Sequence, residues 1–195
     1  MRLLMVAPPG AGKGTQAARL AGHYAIAHLG SGDLFRKEVA AGSEIGKIAA
    51  GYLRRGDLVP DEVVMQMLVG PVRRAVQNGG YVLDGFPRTV RQAEEAYAWA
   101  RQEDHDAELQ AVVHLVVGRA ELRRRMLARA AAEGRSDDTE ETIDHRLDVY
   151  DSETEPLVDY YSARGLMVDI DGSRPAEAVF DDIVESLEAL RAGRS

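Results

Sequence analysis

The stretch that decides the fold is Leu3-Leu4-Met5-Val6-Ala7-Pro8-Pro9-Gly10-Ala11-Gly12-Lys13-Gly14-Thr15. Its apolar first part predicts a buried strand, and the residues from Lys13 onward predict a helix. Between them, the glycines allow backbone N–H groups to surround an anion at the positive end of the helix dipole. Lys13 adds a mobile cation suited to β- and γ-phosphates. The stretch therefore predicts a nucleoside triphosphate site formed by Gly10, Ala11, Gly12, Lys13, Gly14 and Thr15; the alternative is a glycine-rich turn without a ligand.

Two positions depart from the general phosphate-loop pattern. Ala7 replaces the usual first glycine, and Gly14 stands where a Ser or Thr normally binds magnesium, one residue before Thr15. Asp84, at the end of the short apolar strand 81–83, is the candidate magnesium ligand, directly or through water. The alternative for Asp84 is a structural cap of the following turn. Mg²⁺ bound with the nucleotide is expected, because it bridges the phosphates of the donor.

Composition narrows the possible functions. The 195 residues carry a formal net charge of −8, which disfavours non-specific binding to nucleic acid. There is no cysteine, which excludes disulfides and thiolate zinc sites, and no zinc is expected. The apolar run before Pro8 is too short for a signal peptide or a membrane span. We expect a cytoplasmic protein, monomeric by default, whose partners are small-molecule nucleotides rather than nucleic acid or membrane.

Apolar runs alternate with helical patterns along the chain, as in βαβ units. The pattern predicts an α/β fold of three layers, with a five-stranded parallel sheet and helices on both faces, in a single domain over residues 1–195. Ser31 is a candidate N-cap for a helix, Ser43 opens another, and Pro60 marks the start of a third. One long helix is predicted from Thr139 to about residue 163.

Beyond the phosphate loop, four further motifs occur in the order seen in adenylate kinases. They are Ser31-Gly32-Asp33-Leu34-Phe35-Arg36, Gly56-Asp57-Leu58-Val59-Pro60, Asp84-Gly85-Phe86-Pro87-Arg88-Thr89-Val90-Arg91-Gln92-Ala93, and Arg135-Ser136-Asp137-Asp138 with Arg146 and Tyr150. The chain thus resembles the adenylate kinases, a nucleoside monophosphate kinase family, from residue 1 to about residue 190. The resemblance implies reversible transfer of a phosphoryl group between ATP and AMP.

The resemblance also implies roles for individual residues. Arg36 and Arg88 would hold the acceptor phosphate, Gln92 would contact the adenine of AMP, and the catalytic group would be Lys13, Arg88, Arg125, Arg135 and Arg146. ATP would be held by Arg125, Arg129 and Arg174 besides the loop, and AMP by Ser31, Arg36, Asp57, Leu58, Val59, Gly85, Arg88, Gln92, Arg135 and Arg146. For Ser31 two roles stay open, contact with AMP and the helix cap, and one hydroxyl could fill both. Arg123 and Arg124, on the same helix as Arg125, are interpreted as solvated charges.

The chain is similar to the short form of the family. Only residues 130–134 separate Arg129 from Arg135, which leaves no room for a separate lid domain. A short lid loop over about 129–138 and an AMP-binding segment over about 31–60 are expected, and the mobile parts are expected to be this loop and the helices between about Ser31 and Val64. The nearest alternative is a UMP/CMP kinase, which shares the loop and the arginines; Ser31, Thr89 and Gln92 favour AMP. A nucleotide-binding regulator without catalysis is a further alternative, disfavoured because the phosphate-binding residues are all present.

Overall fold

The computed structural model of the protein describes residues 1–102, 107–133 and 139–193. Their strands are β1 (Arg2–Val6), β2 (Ala27–Gly30), β3 (Tyr81–Asp84), β4 (Ala111–Val116) and β5 (Met167–Asp171). Their α-helices are α1 (Lys13–Tyr24), α2 (Ser31–Ala41), α3 (Glu44–Arg55), α4 (Asp61–Gln77), α5 (Val90–Gln102), α6 (Arg119–Glu133), α7 (Glu140–Val149), α8 (Pro156–Ser162) and α9 (Ala176–Ala192). A π-helical turn, Tyr150–Thr154, joins α7 to α8.

The five strands form one parallel sheet, as predicted, and their order in it is β2-β3-β1-β4-β5. The chain runs from β1 first to one side of the sheet and then to the other, so β1 lies at the topological switch point. In open α/β sheets, the crevice beyond the carboxyl end of such strands is where ligands bind. Met5 of β1 pairs with Asp84 of β3, and Gly30 at the end of β2 pairs with Asp84 on its other side. The register therefore brings three predicted motifs to one edge.

Two apolar clusters cover the two faces of the sheet, as a buried parallel sheet requires. Leu4 and Val6 of β1 pack into one cluster with residues of α4, α5 and α8. Leu3 and Met5 pack into the other with residues of α1, α6, α7 and α9. Because β1 is buried on both faces, the loop that follows it is carried by the most rigid part of the fold. No helix in the described ranges is both long and apolar enough to span a membrane.

Local capping signals account for several helix starts. Ser43 caps α3 and accepts the N–H of Gly46, and Thr139 caps α7 and accepts the N–H of Thr142. The expectation for Ser31 was wrong, because Gly30 is the N-cap of α2 and the hydroxyl of Ser31 bonds elsewhere. Pro60 does lie at a helix start, as predicted: it is the N-cap of α4, one residue before the first turn.

The single long helix predicted after Thr139 is also wrong. It is divided by the π-helical turn, in which the N–H of Glu155 bonds to the carbonyl of Tyr150. Pro156 begins α8 directly after this turn. Proline has no N–H to donate and its ring clashes with the preceding turn of a regular helix, so the widened turn accommodates it.

Candidate active site

The phosphate loop has the strained geometry that its glycines predict. Gly10 and Gly12 have φ values of 86° and 90°, in the left-handed region that favours glycine. At Gly10 an added Cβ would lie 2.8 Å from Met126 Cγ and 2.9 Å from the carbonyl oxygen of Leu122. The loop is thus pressed against α6, and Gly12 leads into α1 as its N-cap. Backbone amides at this helix N-terminus form an anion-binding site.

A cleft of about 520 Å³ opens above this loop at the carboxyl edge of the sheet. One wall is the loop and α1, and another comes from α2 and the connection between α3 and α4; α6, α7 and the π-helical turn complete it. Predicted residues that line it are Gly10, Gly12, Lys13, Gly14, Thr15, Arg36, Asp57, Leu58, Asp84, Gly85, Arg88, Arg125, Arg129 and Arg146. The predicted donor and acceptor residues therefore meet in one cavity.

Lys13 and Asp84 are the oppositely charged groups at the floor of this cleft. Burial lowers the pKa of Lys13, and the nearby Asp84 carboxylate partly opposes that effect. Burial would raise the pKa of Asp84, but the His28 imidazole, with Nε2 3.9 Å from Oδ2, and the charge of Lys13 outweigh it and hold that pKa below its usual range. The Asp84 carboxylate is therefore ionised at neutral pH. The Oδ1 atom of Asp84 is buried and has no hydrogen-bond partner among the described residues.

Arg88 is held from both its backbone and its side chain. Its Nε donates to the carbonyl oxygen of Gly85 at 2.8 Å, and its backbone N–H donates to Oε1 of Gln92 at 2.7 Å. Burial lowers the pKa of Arg88, with the Asp84 carboxylate opposing, but an arginine remains charged at any physiological pH. Among the described residues, only the Nε atom of this guanidinium makes a hydrogen bond, and the side chain lines the cleft. Arg36 lines the cleft from α2, where it pairs with Asp33 and is about half exposed.

Ser31 is buried and does not line the cleft itself. Its hydroxyl donates to the same Gly85 carbonyl, at 2.8 Å, that accepts from Arg88. Gly85 has φ 81°, and an added Cβ there would lie only 2.5 Å from the Ser31 hydroxyl oxygen. The start of α2 and the Arg88 loop are therefore fixed against each other. Val59 and Ala11, also predicted to bind nucleotide, are buried at the margins of the cleft.

Gln92 has 2% of its surface exposed, and its side chain is engaged within the protein. Its Nε2 donates to Oδ1 of Asp61 at 2.6 Å, while its Oε1 accepts from Arg88. Asp61 is buried as well and also pairs with Arg91. Asp61 is a residue that the sequence analysis missed, and its place beside proline at a helix start gave no signal for it.

The cationic wall on the lid side comes from α6 and α7. Arg125 donates to the carbonyl oxygens of Gly172 at 2.9 Å and Ser173 at 3.2 Å, so it joins α6 to the loop after β5. Arg146 donates to the carbonyl oxygen of Leu53 at 3.2 Å. Arg129 also lines the cleft, whereas Arg135 and the rest of the predicted lid loop from 134 to 138 lie outside the described residues.

Three further arginines are engaged in ion pairs with neighbouring carboxylates. Arg123 was interpreted as a solvated charge, but it pairs with Glu140 at 2.7 Å and Asp144 at 3.2 Å and thereby braces α6 against α7. Arg174, predicted to contact ATP, pairs with Asp182 on α9 and does not line the cleft. Arg124 pairs with Glu121 on the exposed face of its own helix.

A glycine-rich loop on the central strand, next to a cleft lined with lysine and arginine, defines a P-loop protein that binds nucleoside phosphates. The comparisons with known proteins narrow the class. A family model described as Adenylate kinase matches residues 5–166. The chain belongs to the adenylate kinase family, which confirms the resemblance drawn from the motifs.

Curated relatives named Adenylate kinase match along nearly the whole chain. The protein from Thermobifida fusca (strain YX) is 44% identical over 189 residues, which cover 97% of this chain and 99% of the relative. The one from Trichodesmium erythraeum (strain IMS101) is 39% identical over 193 residues, covering 97% and 99%. The one from Bacteroides fragilis is 37% identical over 190 residues, covering 97% and 100%. The chain is thus a phosphotransferase with adenylate kinase function, and the UMP/CMP kinase alternative is not favoured.

Proposed function

We propose that the cleft transfers a phosphoryl group reversibly between Mg-bound ATP and AMP, giving two ADP, and so serves the balance and salvage of adenine nucleotides. The observation that supports this proposal is that a single cavity is lined by two sets of phosphate-binding residues. The phosphate loop lies on one side of it, and Arg36 and Arg88 lie on the side of α2 and β3. Two phosphate-binding surfaces that face each other suit a donor and an acceptor better than a single nucleotide.

The donor end of the cleft is formed by the loop and α6. The amides of the loop and the charge of Lys13 would hold the β- and γ-phosphates, while Arg125 and Arg129 would approach from α6. Arg125 is already oriented by two backbone carbonyls of the loop after β5, so little of its side-chain freedom remains to be lost on binding. We propose that Arg135 joins this group from the lid. Arg174 would reach ATP only by leaving Asp182.

The acceptor end is formed around Arg88. Arginine can grip a phosphate with two parallel hydrogen bonds, and Arg88 is held by Gly85 and Gln92 in a way that leaves its terminal nitrogens available. We propose that Arg36, Arg88, Arg135 and Arg146 hold the phosphate of AMP. The backbone of residues 57–59, with Ser31 and Gly85, would surround its nucleoside.

The chemistry needs positioning and charge neutralisation rather than a catalytic base. A phosphate monoester has its second pKa near 6, so the acceptor is already largely ionised at neutral pH. Lys13, Arg88, Arg125, Arg135 and Arg146 would stabilise the charge that develops on the transferred group. Closure of the lid and of the segment 31–60 would exclude water and so favour transfer to AMP over hydrolysis.

The residues at the floor of the cleft fit a magnesium ion that arrives with ATP. Asp84 offers one buried, ionised carboxylate whose Oδ1 lacks a partner among the described residues. Gly14 lies beside it, since a Cβ at Gly14 would be 3.4 Å from Asp84 Oδ2. Mg²⁺ usually keeps several waters and takes one or two carboxylates, so Asp84 would hold it directly or through water. Held there, the metal would supply charge neutralisation to the donor's phosphates.

Preference for adenine would come from Gln92. Each polar atom of its amide makes one bond within the protein, so one N–H and one oxygen lone pair remain for a base. Asp61 fixes which end of the amide is the donor. If the chain were a UMP/CMP kinase, a pyrimidine base would have to form hydrogen bonds with the same Gln92 amide.

The test is ADP formation from Mg-ATP with AMP, UMP, CMP or GMP, and without an acceptor. The proposal expects strong preference for AMP and little ADP when acceptor is omitted. Preference for UMP or CMP would contradict the adenine assignment, and ATP binding without transfer to any acceptor would contradict catalysis itself. Gln92→Ala should reduce the preference for AMP over the other acceptors, which separates the base contact from the phosphate contacts.

The organisation of the chain is part of the same proposal. We propose one nucleoside monophosphate kinase domain over residues 1–195, acting as a monomer in the cytoplasm. The absence of cysteine fits a reducing compartment. Light scattering on the purified protein would test the monomer, and a mass twice that of 21.3 kDa would contradict it.

A further inference from the structure

The end of α3 and the turn between α3 and α4, residues 56–60, lie against α7. Nε2 of His145 lies 2.9 Å from Oδ1 of Asp57. One residue further along α7, Arg146 donates to the carbonyl oxygen of Leu53 at 3.2 Å. Gly56 allows the close approach, because its φ is 79° and an added Cβ would lie 2.8 Å from Arg146 Cγ. The α3–α4 turn and α7 are far apart in sequence, so these contacts join two separate walls of the cleft.

The position of this turn bears on acceptor binding. Gly56, Asp57 and Leu58 line the cleft on the side where Arg36 lies. The helix before the turn, α3, packs mainly against α2, which is itself part of the segment proposed to move. The contacts with α7 therefore hold the far end of that segment. A turn that is already docked has less conformational freedom to lose when a ligand binds.

The contact between His145 and Asp57 depends on charge. The hydrogen bond from His145, and then that from Arg55 at 2.6 Å, hold the pKa of Asp57 below its usual range, so this carboxylate is ionised at neutral pH. Histidine is the side chain that ordinarily changes charge between about pH 5 and 8. A protonated imidazole would make the contact an ion pair, and a neutral one would leave a weaker hydrogen bond.

The other charged groups around His145 leave Asp57 as its partner. From the packed elements, Asp57 and behind it Arg55 face the imidazole. On α7 itself, Glu141 lies one turn earlier, while Asp144 and Asp148 are paired with arginines of α6. Both side chains of the pair are partly exposed, 45% for His145 and 35% for Asp57, so solvent reaches both.

We propose that His145 is a positioning residue whose protonation tightens the hold of α7 on the α3–α4 turn and thereby strengthens binding of the acceptor nucleotide. The inference rests on the proposed function, because it assigns the turn to the acceptor. An exposed ion pair contributes up to about 1 kcal/mol, which corresponds to an effect on binding of up to about fivefold. The Michaelis constant for AMP is affected, while kcat and the constant for ATP are not.

The experiment compares the natural protein with His145→Lys, which is always charged, and His145→Gln, which keeps a neutral donor. The Michaelis constant for AMP is measured from pH 5.5 to 8.5 at saturating Mg-ATP. The phosphate of AMP titrates in this range too, but its effect cancels when the Michaelis constants of two proteins are divided at each pH. The natural protein should match His145→Lys at low pH and His145→Gln at high pH, where its constant is up to about fivefold above that of His145→Lys.

Two controls sharpen the result. In an Asp57→Asn background the three forms of residue 145 should become equal, since the partner carboxylate is gone. His23→Gln, an exposed histidine on α1, should leave the profile unchanged. Parallel profiles for the natural protein and both His145 variants would overturn the inference while leaving AMP as the acceptor. Failure of all forms to transfer phosphate to AMP would instead overturn the proposed function, and the inference with it.

Discussion

Gly10→Ala should damage both stability and catalysis, by amounts that the loop geometry sets. A residue with a side chain at φ 86° carries a backbone cost of about 1–2 kcal/mol. The new Cβ would also lie 2.8 Å from Met126 Cγ and 2.9 Å from the carbonyl oxygen of Leu122. The methionine can turn aside, but the carbonyl belongs to the backbone of α6 and cannot. Overpacking of this kind costs about 1–3 kcal/mol, so the sum is about 2–5 kcal/mol.

The same displacement would move the amides that face the phosphates. A shift approaching 1 Å in a catalytic group can cost about 10²-fold, so kcat should fall by up to that factor. Urea unfolding would measure the stability and a coupled assay of ADP formation the rate.

Gly165→Ala is the matched control for the backbone cost. Gly165 has φ 62°, and an added Cβ there would meet no heavy atom of the described residues within 4 Å. The Gly165→Ala variant should lose only about 1–2 kcal/mol of unfolding free energy and keep its kcat. If the two alanine variants were equally stable and equally active, the steric argument at Gly10 would be refuted.

Three further predictions follow from the site. Arg88→Lys should retain ATP binding but lose about 10²–10³-fold in kcat, because the single ammonium group of lysine cannot both bond Gly85 and replace the planar guanidinium. Arg124→Lys is the control, and unchanged turnover in Arg88→Lys would contradict the assignment. Chelation with EDTA should abolish ADP formation and excess Mg²⁺ should restore it; activity that persists in EDTA would exclude the magnesium proposal. Because the pKa of Asp84 is lowered in the folded protein, its charge stabilises the fold at pH values above its ordinary pKa of about 3.9. This stabilisation is lost as the pH falls through the pKa of Asp84 in the folded state. The difference in unfolding free energy between the natural protein and Asp84→Asn should therefore stay constant from pH 8 to about 5 and change only below about 4; a change near neutrality would show that Asp84 is not ionised there.

Features with a local cause could be predicted from the sequence. The phosphate loop is local, because strand, glycines and helix start follow one another, and the structure gives the positive φ values that this order implies. The caps Ser43 and Thr139 are local in the same way. The parallel sheet follows from the alternation of strands and helices, although its strand order depends on packing.

Features with a distant partner could not be predicted. The hydroxyl of Ser31 could bond its own helix or something else, and its partner Gly85 is remote in sequence. The helical pattern of α6 shows that Arg123 is near the surface but not that α7 brings Glu140 to it. The π-helical turn had a local sign, since Pro156 interrupts the helical run, but the widened turn itself depends on how Tyr150 packs.

The family could be recognised because several motifs occur in order, which no single motif would have allowed. The roles of individual residues were predicted from the same resemblance. The positions of these residues fit some of the predicted roles better than others. Lys13, Arg88 and Arg146 line one cleft, whereas Gln92 is engaged with Asp61 and Arg174 pairs with Asp182. The assignments of Gln92, Arg174 and Arg135 therefore stay predictions.

The most direct test of the central claim follows the transferred group itself. ATP labelled with ³²P in its γ-phosphate is mixed with AMP, Mg²⁺ and excess protein, and the products are separated after a single turnover. The account predicts that the label appears in ADP at the rate at which AMP disappears. Label released as inorganic phosphate, or retained in ATP, would contradict the claim that the cleft joins a donor to a nucleotide acceptor.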